Sequence, residues 1–166
     1  MGRIDDRIEE LGLTLPSEPV LPPGVVLPFD FVRVVGTRGM ISGHGPQSAN
    51  GAIEIAGIVG DDLTVEQGYD AARLVGLSIL GSLQRELGTL DRIAGWVKAL
   101  GMVRCGPDFG QHPAVINGFS DLIIEVFGPE VGAHTRSAVG LISLPFGMPV
   151  EIEAEVLLTS SGDGAG

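Results

Sequence analysis

Residues 136–145 read Arg-Ser-Ala-Val-Gly-Leu-Ile-Ser-Leu-Pro, and residues 150–156 read Val-Glu-Ile-Glu-Ala-Glu-Val. The second segment alternates apolar residues with glutamates, and this period of two is typical of a strand with one buried face and one face in water. The first segment has a similar strand-forming composition. Residues 146–149, Phe-Gly-Met-Pro, have the composition of a turn, so the pattern predicts that the two strands pair as a hairpin or near-hairpin.

Two charged residues in these strands suggest a small binding site. Arg136 opens the first strand and Glu151 lies near the start of the second. A guanidinium holds a carboxylate through two parallel hydrogen bonds, so an arginine with an acid on a nearby strand suits a small carboxylate ligand. A structural ion pair between the two residues is the alternative interpretation.

This C-terminal pattern resembles a known signature. The Arg-Ser-Ala-Val start, the strand that ends in Leu-Pro and the following Val-Glu-Ile-Glu-Ala are similar to the C-terminal motif of the Rid family. That family includes the RidA (YjgF) enamine/imine deaminases and also carries the label endoribonuclease L-PSP. The similarity in order and spacing extends from Phe29 to Leu158, which is most of the chain.

The pattern predicts strands at 31–35 and 39–42, helices at 61–87 and 109–127, and the two C-terminal strands. Residues 91–103 are ambiguous between helix and strand by pattern alone, and the resemblance, with the lack of room for a further helix before residues 105–107, favours a strand at 94–103. This order indicates an α+β fold with one mostly antiparallel sheet and two helices on one face. The resemblance implies the chorismate-mutase-like (YjgF/Rid) fold and a homotrimer with sites at the subunit interfaces. Val139, Leu141 and Leu157 point away from the predicted helix-facing side, and such an apolar patch usually marks an interface.

The two ends of the chain differ from this domain, which spans residues 29–159. Within residues 1–28, residues 3–11 have helical spacing, and residues 16–28 contain five prolines. These prolines predict an extended arm on the surface. Residues 160–166, Ser-Ser-Gly-Asp-Gly-Ala-Gly, have too little apolar surface to order themselves and predict a flexible tail.

Composition excludes several functions. Ten basic and 21 acidic residues give a net charge of −11, which disfavours nucleic acid as a partner. The single Cys105 cannot form an internal disulfide and is expected to be a buried thiol. His44, His112 and His134 lack the spacing of metal ligands, so we predict no metal site. The sequence has neither a long apolar run nor a secretion signal, which predicts a cytoplasmic protein without membrane contact.

The resemblance assigns roles to two residues. Arg136 matches the arginine that binds the substrate carboxylate, and Glu151 matches the glutamate that positions or deprotonates a water molecule. Together they imply a hydrolase that converts 2-imino or 2-enamino acids to 2-oxo acids and ammonia without a metal or cofactor. A carboxylate near the bound ligand can act as a general base when it reaches the water directly or through one bridging molecule.

Five further positions are candidates for the substrate-binding site. Ser42 and Gly43 match a Ser-Gly pair that lines the site in the family, and Asn117 matches an asparagine near the substrate. Phe29 stands where the family usually has a tyrosine, and Ala138 where it commonly has a cysteine. These two departures predict a pocket that is more apolar and somewhat larger.

Some alternatives remain open at this stage. His44, which follows the Ser-Gly pair, is either a titrating group near the pocket or an exposed loop residue. The chain as a whole could be a deaminase, a non-catalytic carboxylate-binding trimer that acts as a sensor or partner protein, or an enzyme of a specialised biosynthetic pathway. Endoribonuclease activity is disfavoured because the chain is acidic and has no patch of basic and aromatic residues.

Overall fold

The computed structural model describes residues 2–160 of the chain, so of the tail predicted for residues 160–166 only Ser160 falls among the described residues. The elements in chain order are α1 (Arg3–Glu10), β1 (Val32–Val35), β2 (Arg38–His44), α2 (Val65–Leu87), β3 (Ile93–Arg104), α3 (His112–Val131), β4 (Thr135–Leu141) and β5 (Val150–Leu158), with 3-10 turns at Leu90–Arg92 and Pro145–Gly147. None of the helices in this range is long and apolar enough to cross a membrane.

The five strands form one mixed sheet in the order β1-β2-β5-β3-β4. Three of the pairings are antiparallel, and the β3–β4 pairing is parallel. The helix α3 connects β3 to β4, as a parallel pair requires a crossover connection. The α+β plan predicted from the sequence is therefore confirmed.

The predicted hairpin between the two C-terminal strands is wrong. The strand β3 lies between β4 and β5 and pairs with both. Residues 142–149 cross the end of β3, where the Arg104 amide donates to the Pro149 carbonyl and the Cys105 amide donates to the Leu141 carbonyl. A turn sequence of this length is compatible with a hairpin or with a connection that passes over one strand, and only the pairing of β3 decides between them.

The helices begin and end near the predicted positions. Thr64 caps α2: its hydroxyl accepts from the Gln67 amide and the Gln67 side chain accepts from the Thr64 amide, as in a capping box. In α3, helical geometry is interrupted at Gly128, where φ is +78°. α2 starts four residues later than predicted, because Asp61 and Asp62 form a turn, and α3 starts three residues later, because residues 109–111 have no helical structure.

Both long helices pack on one face of the sheet. Gly118 allows their close approach, since a methyl group at that position would overlap the Tyr69 carbonyl oxygen. Trp96 is buried on this face with its ring edge-on to Phe119 and Phe127. The core between helices and sheet is formed by Ala72, Val75, Ile79, Leu83, Ile116, Phe119, Ile123, Val150, Ile152, Ala154 and Val156.

The other face of the sheet is uncovered by any helix in residues 2–160. Val139, Leu141 and Leu157 are 39%, 37% and 44% exposed there, as predicted. Met40, which is 40% exposed, shares this face because it pairs with Glu155. Exposed apolar residues on one sheet face are typical of a surface that another protein chain covers.

Candidate functional site

Arg136 lies on the helix-covered face of the sheet, at the edge strand β4. It pairs with Ala99 in β3, and its side chain reaches α3. The guanidinium donates to Asn117 Oδ1 at 2.6 Å, to Ser120 Oγ at 2.8 Å and to the Pro113 carbonyl at 3.2 Å. The structure therefore brings together Arg136 and Asn117, two of the residues that the sequence selected.

The positive charge of Arg136 has no acidic partner within residues 2–160. Its three hydrogen-bond acceptors are neutral, so the alternative of a structural ion pair with Glu151 is wrong for this chain. A guanidinium has five N–H donors, of which three are in use, and the remaining two can bind an anion. Ala138 lies two residues along the same strand face and is partly exposed.

Glu151 lies on the opposite, open face of the sheet, since it pairs with Met102 in β3. Its carboxylate covers Gly43 so closely that a methyl group on Gly43 would overlap Oε1. Burial, followed by the charge of Glu153, raises the pKa of Glu151 above its usual value. Across the described range it makes no hydrogen bond or ion pair, and such a half-buried acid is a candidate for acid–base chemistry.

Ser42 and Gly43 occupy an irregularity in β2, where the pairing with β5 shifts register between Ile41 and His44. Bulges of this kind re-aim side chains and often lie next to active sites. The Ser42 hydroxyl donates to the Asp30 carbonyl at 2.7 Å and the Ser42 amide to the Phe31 carbonyl. Ser42 thus holds the segment that carries Phe29, while Gly43 makes room for the Glu151 carboxylate.

Phe29 is half-exposed, with its ring edge-on to Phe31 at 5.9 Å between centroids. It borders three clefts, two of which also contain candidate residues. One lies on the open face and includes Ser42 and Glu153. The other includes Gly43 and Glu151. The structure therefore groups Phe29, Ser42, Gly43 and Glu151.

His44 is buried and braces this region, so the alternative of an exposed loop residue is wrong. It is 2% exposed, and burial lowers its pKa to about 4. Because a carbonyl oxygen only accepts, Nδ1 carries the proton that goes to the Ser42 carbonyl at 2.7 Å. Nε2 is then the acceptor for the Ser82 hydroxyl at 2.9 Å. The neutral ring fixes the backbone beside Gly43.

The sequence did not indicate that the N-terminal arm reaches this site. Residues 19–27 of the arm form one wall of the cleft that contains Gly43 and Glu151, and Phe146 and Met148 form part of another. The cleft has a volume of about 580 Å³. A run of prolines predicts an extended segment, but its composition does not reveal which surface it contacts.

A second pair that the sequence did not single out lies near Arg136. The sulfur of Cys105 is 3.3 Å from Nε2 of His112, at the start of α3. Cys105 is buried, as predicted, and burial raises the pKa of its thiol. No group of three or more His, Cys, Asp or Glu side chains in residues 2–160 is arranged to hold a metal ion.

The candidate residues of one chain thus form two separate groups. Arg136, Asn117 and Ala138 lie beside α3, whereas Phe29, Ser42, Gly43 and Glu151 lie near β2 and β5. The strand β3 separates Arg136 from Glu151, and the two side chains leave opposite faces of the sheet. The two charged residues of one chain therefore cannot bind the same small ligand.

Comparison with known proteins places the chain among relatives of similar length. Protein TCP17 of Trypanosoma cruzi is 38% identical over 161 residues, which are 96% of each chain. The fold is similar to that of Atu1372, a protein of unknown function from Agrobacterium tumefaciens, with a TM-score of 0.82 and 37% identity over 93% of this chain and 91% of that one.

A putative endoribonuclease of Shewanella oneidensis has a TM-score of 0.84 and 29% identity over 95% of this chain and 100% of that one. Residues 6–155 match the sequence pattern of one family, described as YjgF/chorismate mutase-like, putative endoribonuclease. The match extends over both groups of candidate residues and includes the whole arm, residues 16–28. The chain therefore belongs to the YjgF/chorismate mutase-like family.

Proposed function

We propose that this protein is a deaminase that hydrolyses 2-imino or 2-enamino acids to 2-oxo acids and ammonia, at sites formed between subunits of a homotrimer. The observation that carries the proposal is the pair of unmatched charges in each chain. Arg136 lacks an acidic partner within the described range and Glu151 lacks a basic one. When Arg136 of one subunit lies near Glu151 of the next, a carboxylate ligand fits between them.

In this site Arg136 binds the substrate carboxylate. Its Nε–H and one Nη1–H are not used by Asn117, Ser120 or Pro113, so they remain to donate to a carboxylate. The hydrogen bonds to Asn117 and Ser120 hold the guanidinium in one orientation. Since both partners are neutral, they position the arginine without cancelling its charge.

Glu151 acts as the general base. The carboxylate takes a proton from water as the water oxygen forms a bond to the C=N carbon, and this proton is passed to the imine nitrogen, which gives a carbinolamine. The carbinolamine hydroxyl then loses its proton to the carboxylate, the C–N bond breaks, and the amine nitrogen takes up that proton and leaves as ammonia, so that the 2-oxo acid remains. Burial that raises the pKa of Glu151 makes its carboxylate a better proton acceptor. The reaction requires no metal or cofactor.

The open sheet face supports the proposal of a homotrimer. A closed symmetric assembly through this face would bury its exposed apolar side chains. These are Met40, Val139, Leu141 and Leu157. The same face carries Glu151, so an assembly through this face brings neighbouring subunits near one half of the site.

A second candidate function is non-catalytic binding of a carboxylate ligand by the same trimer. It is favoured by Phe29, which provides no hydroxyl to orient the substrate or water, and by Ala138, which provides no thiol. A further candidate, endoribonuclease, follows from the description of the family and of the Shewanella relative. The glutamates at 151, 153 and 155 share the open sheet face, where they repel phosphates, so we favour it less.

A coupled assay tests the proposal. An amino-acid oxidase generates 2-imino acids from a panel of amino acids, semicarbazide traps the imine that persists, and faster hydrolysis lowers the trapped amount. Deaminase activity predicts that the protein lowers the semicarbazone signal and that Arg136→Ala and Glu151→Gln lose this effect. If no imine in the panel is lost faster but a 2-oxo acid binds, the binding function is correct. Salt-sensitive RNA cleavage would instead support the endoribonuclease.

A further inference from the structure

The cleft beside Glu151 is closed on one side by the N-terminal arm, and hydrogen bonds fix the arm in place. The Ser17 amide donates to the Ala49 carbonyl at 3.1 Å, and the Val20 amide donates to the Gly51 carbonyl at 3.0 Å. Arg85 Nη1 donates to the Pro16 carbonyl at 2.9 Å. The arm is therefore a fixed wall of the cleft. Its prolines limit the conformations of the unfolded arm, so less conformational entropy is lost when the arm becomes ordered.

The lining of this cleft is mainly apolar. Leu21, Val25 and Leu27 of the arm line it together with Ile53 and Met148. Leu21 and Val25 are 36% and 41% exposed in this chain, so the apolar surface is available for contact. The cleft volume of about 580 Å³ falls in the range of small-molecule sites, which combine apolar walls with a few polar groups.

The polar groups of the cleft lie at defined positions in this apolar lining. Glu151 and the backbone at Gly43 border it on the side of the sheet. Gln47 also borders it and is 3% exposed, with Nε2 donating to the Gly51 carbonyl. Its Oε1 has no hydrogen-bond partner within residues 2–160. These few polar groups border a cleft whose other walls are apolar.

Phe146 gives an independent indication that the cleft binds a ligand. Its φ of +56° places it in the left-handed region, and it is the one residue other than glycine with a positive φ in residues 2–160. It is nevertheless 64% exposed and borders the cleft. An aromatic side chain held in solvent by a strained backbone is costly, and such strain is common at ligand-binding positions.

From these features we infer that the arm, together with Phe146 and Met148, forms the subsite for the side chain of the ligand. The ligands are 2-imino or 2-oxo acids with a bulky apolar side chain, branched aliphatic or aromatic. The inference rests on the proposed function, because the cleft adjoins the Glu151 half of that site. Small ligands such as pyruvate leave the apolar walls without contacts.

Two neighbouring valines of the arm provide a matched test. Val25 lines the cleft, whereas Val26 does not and is 87% exposed. Ligand-observed NMR titrations of the full chain give dissociation constants for phenylpyruvate, 4-methyl-2-oxopentanoate and pyruvate. We expect the two bulky acids to bind at least about tenfold more tightly than pyruvate. Val25→Ser should raise the dissociation constants of both bulky acids by about fivefold and leave that of pyruvate unchanged. Val26→Ser should change none of the three dissociation constants.

Phe146→Gly is the second variant, because glycine adopts the left-handed conformation without strain. This substitution should keep or raise the free energy of unfolding and weaken the binding of the two bulky acids. A loss of affinity in this variant therefore does not result from a loss of folding. Equal affinity for all three acids, or equal effects of the two valine substitutions, would overturn the subsite while leaving the proposed function intact. If none of the three acids binds, both the subsite and the proposed function are wrong.

Discussion

Arg136 and Glu151 lie on opposite faces of the same sheet with β3 between their strands, so their side chains cannot interact within one chain. Each is left without a partner of opposite charge in the part of the chain that the structure describes. This arrangement differs from an ordinary ion pair, in which the two charges stabilise one subunit. We propose that each chain contributes two different half-sites, and the predictions below test this proposal.

Asn117→Asp tests the role of Arg136 without removing it. Asn117 Oδ1 already accepts from the guanidinium at 2.6 Å, so an aspartate there would form an ion pair and compete with a substrate carboxylate. We expect KM to rise at least about tenfold while the free energy of unfolding is unchanged or higher. Arg136→Ala should lower kcat/KM by about 100-fold or more.

The matched control for Arg136→Ala is Arg73→Ala, which removes an arginine that pairs with Glu125 on the helix surface. It should leave kcat/KM unchanged. Light scattering reports the assembly in parallel. Loss of the oligomer in Arg136→Ala, with no effect of Asn117→Asp on KM, would make the arginine structural.

Glu151→Gln should abolish most activity and stabilise the protein. Loss of a general base costs about 100-fold or more in kcat. Since the native pKa of Glu151 is raised by burial, the native state binds this proton more tightly than the unfolded chain. The free energy of unfolding therefore falls as pH rises from the pKa of the unfolded chain through the native pKa. Above that range the ionised acid lowers it by a constant amount.

Urea unfolding at pH 7 and at pH 4 measures this effect. The stabilisation by Glu151→Gln should be larger at pH 7. Glu54→Gln, at an exposed position, is the control and should change little. A variant that is less stable than the wild type at pH 7 would show that Glu151 has a stabilising partner in the assembly.

His44 should make the protein sensitive to mild acid. Its native pKa is about 4, below the usual 6.5 of the unfolded chain. Between these values the unfolded chain binds more protons, so stability is lost as pH falls, by up to about 3 kcal/mol for this residue. Urea unfolding of the wild type and of His44→Gln at pH 7, 5.5 and 4 should show a flatter pH dependence in the variant. Equal slopes would contradict the buried neutral assignment.

Phe29→Tyr restores a hydroxyl at a position that borders the three clefts. Phe29 is 51% exposed, so a tyrosine fits without repacking. A hydroxyl that hydrogen-bonds the substrate or the attacking water should raise kcat by about fivefold on small imino acids. The coupled oxidase assay measures this, and no gain across the panel would mean that the missing hydroxyl does not limit turnover.

Local features of the fold were predictable because they depend on neighbours in sequence. Thr64 and Gln67, three residues apart, form a capping box at the start of α2, and the alternation of β5 places Ile152 in the core. The position of β3 between the last two strands was not predictable, since it depends on pairing between distant segments. The hairpin inferred from residues 146–149 was wrong for this reason.

The candidate site was predictable residue by residue but not in its arrangement. The resemblance selected Arg136 and Asn117, which are in contact, and Gly43 and Glu151, which are also in contact. That these pairs lie on different faces follows only from the register of β3. The hydrogen bond between His44 and Ser82 joins segments that are distant in sequence. The contact of the arm with the cleft also joins distant segments, so neither was predictable from local patterns.

The most direct test of the two half-sites is activity in mixed oligomers. Arg136→Ala and Glu151→Gln, each inactive alone, are co-expressed with different tags, and the mixed oligomers are purified and assayed for imine hydrolysis. If each site takes its arginine from one subunit and its glutamate from the next, every purified mixed trimer has one intact site of three and about one third of the wild-type activity. Activity no greater than that of the two separate variants would contradict a site shared between subunits.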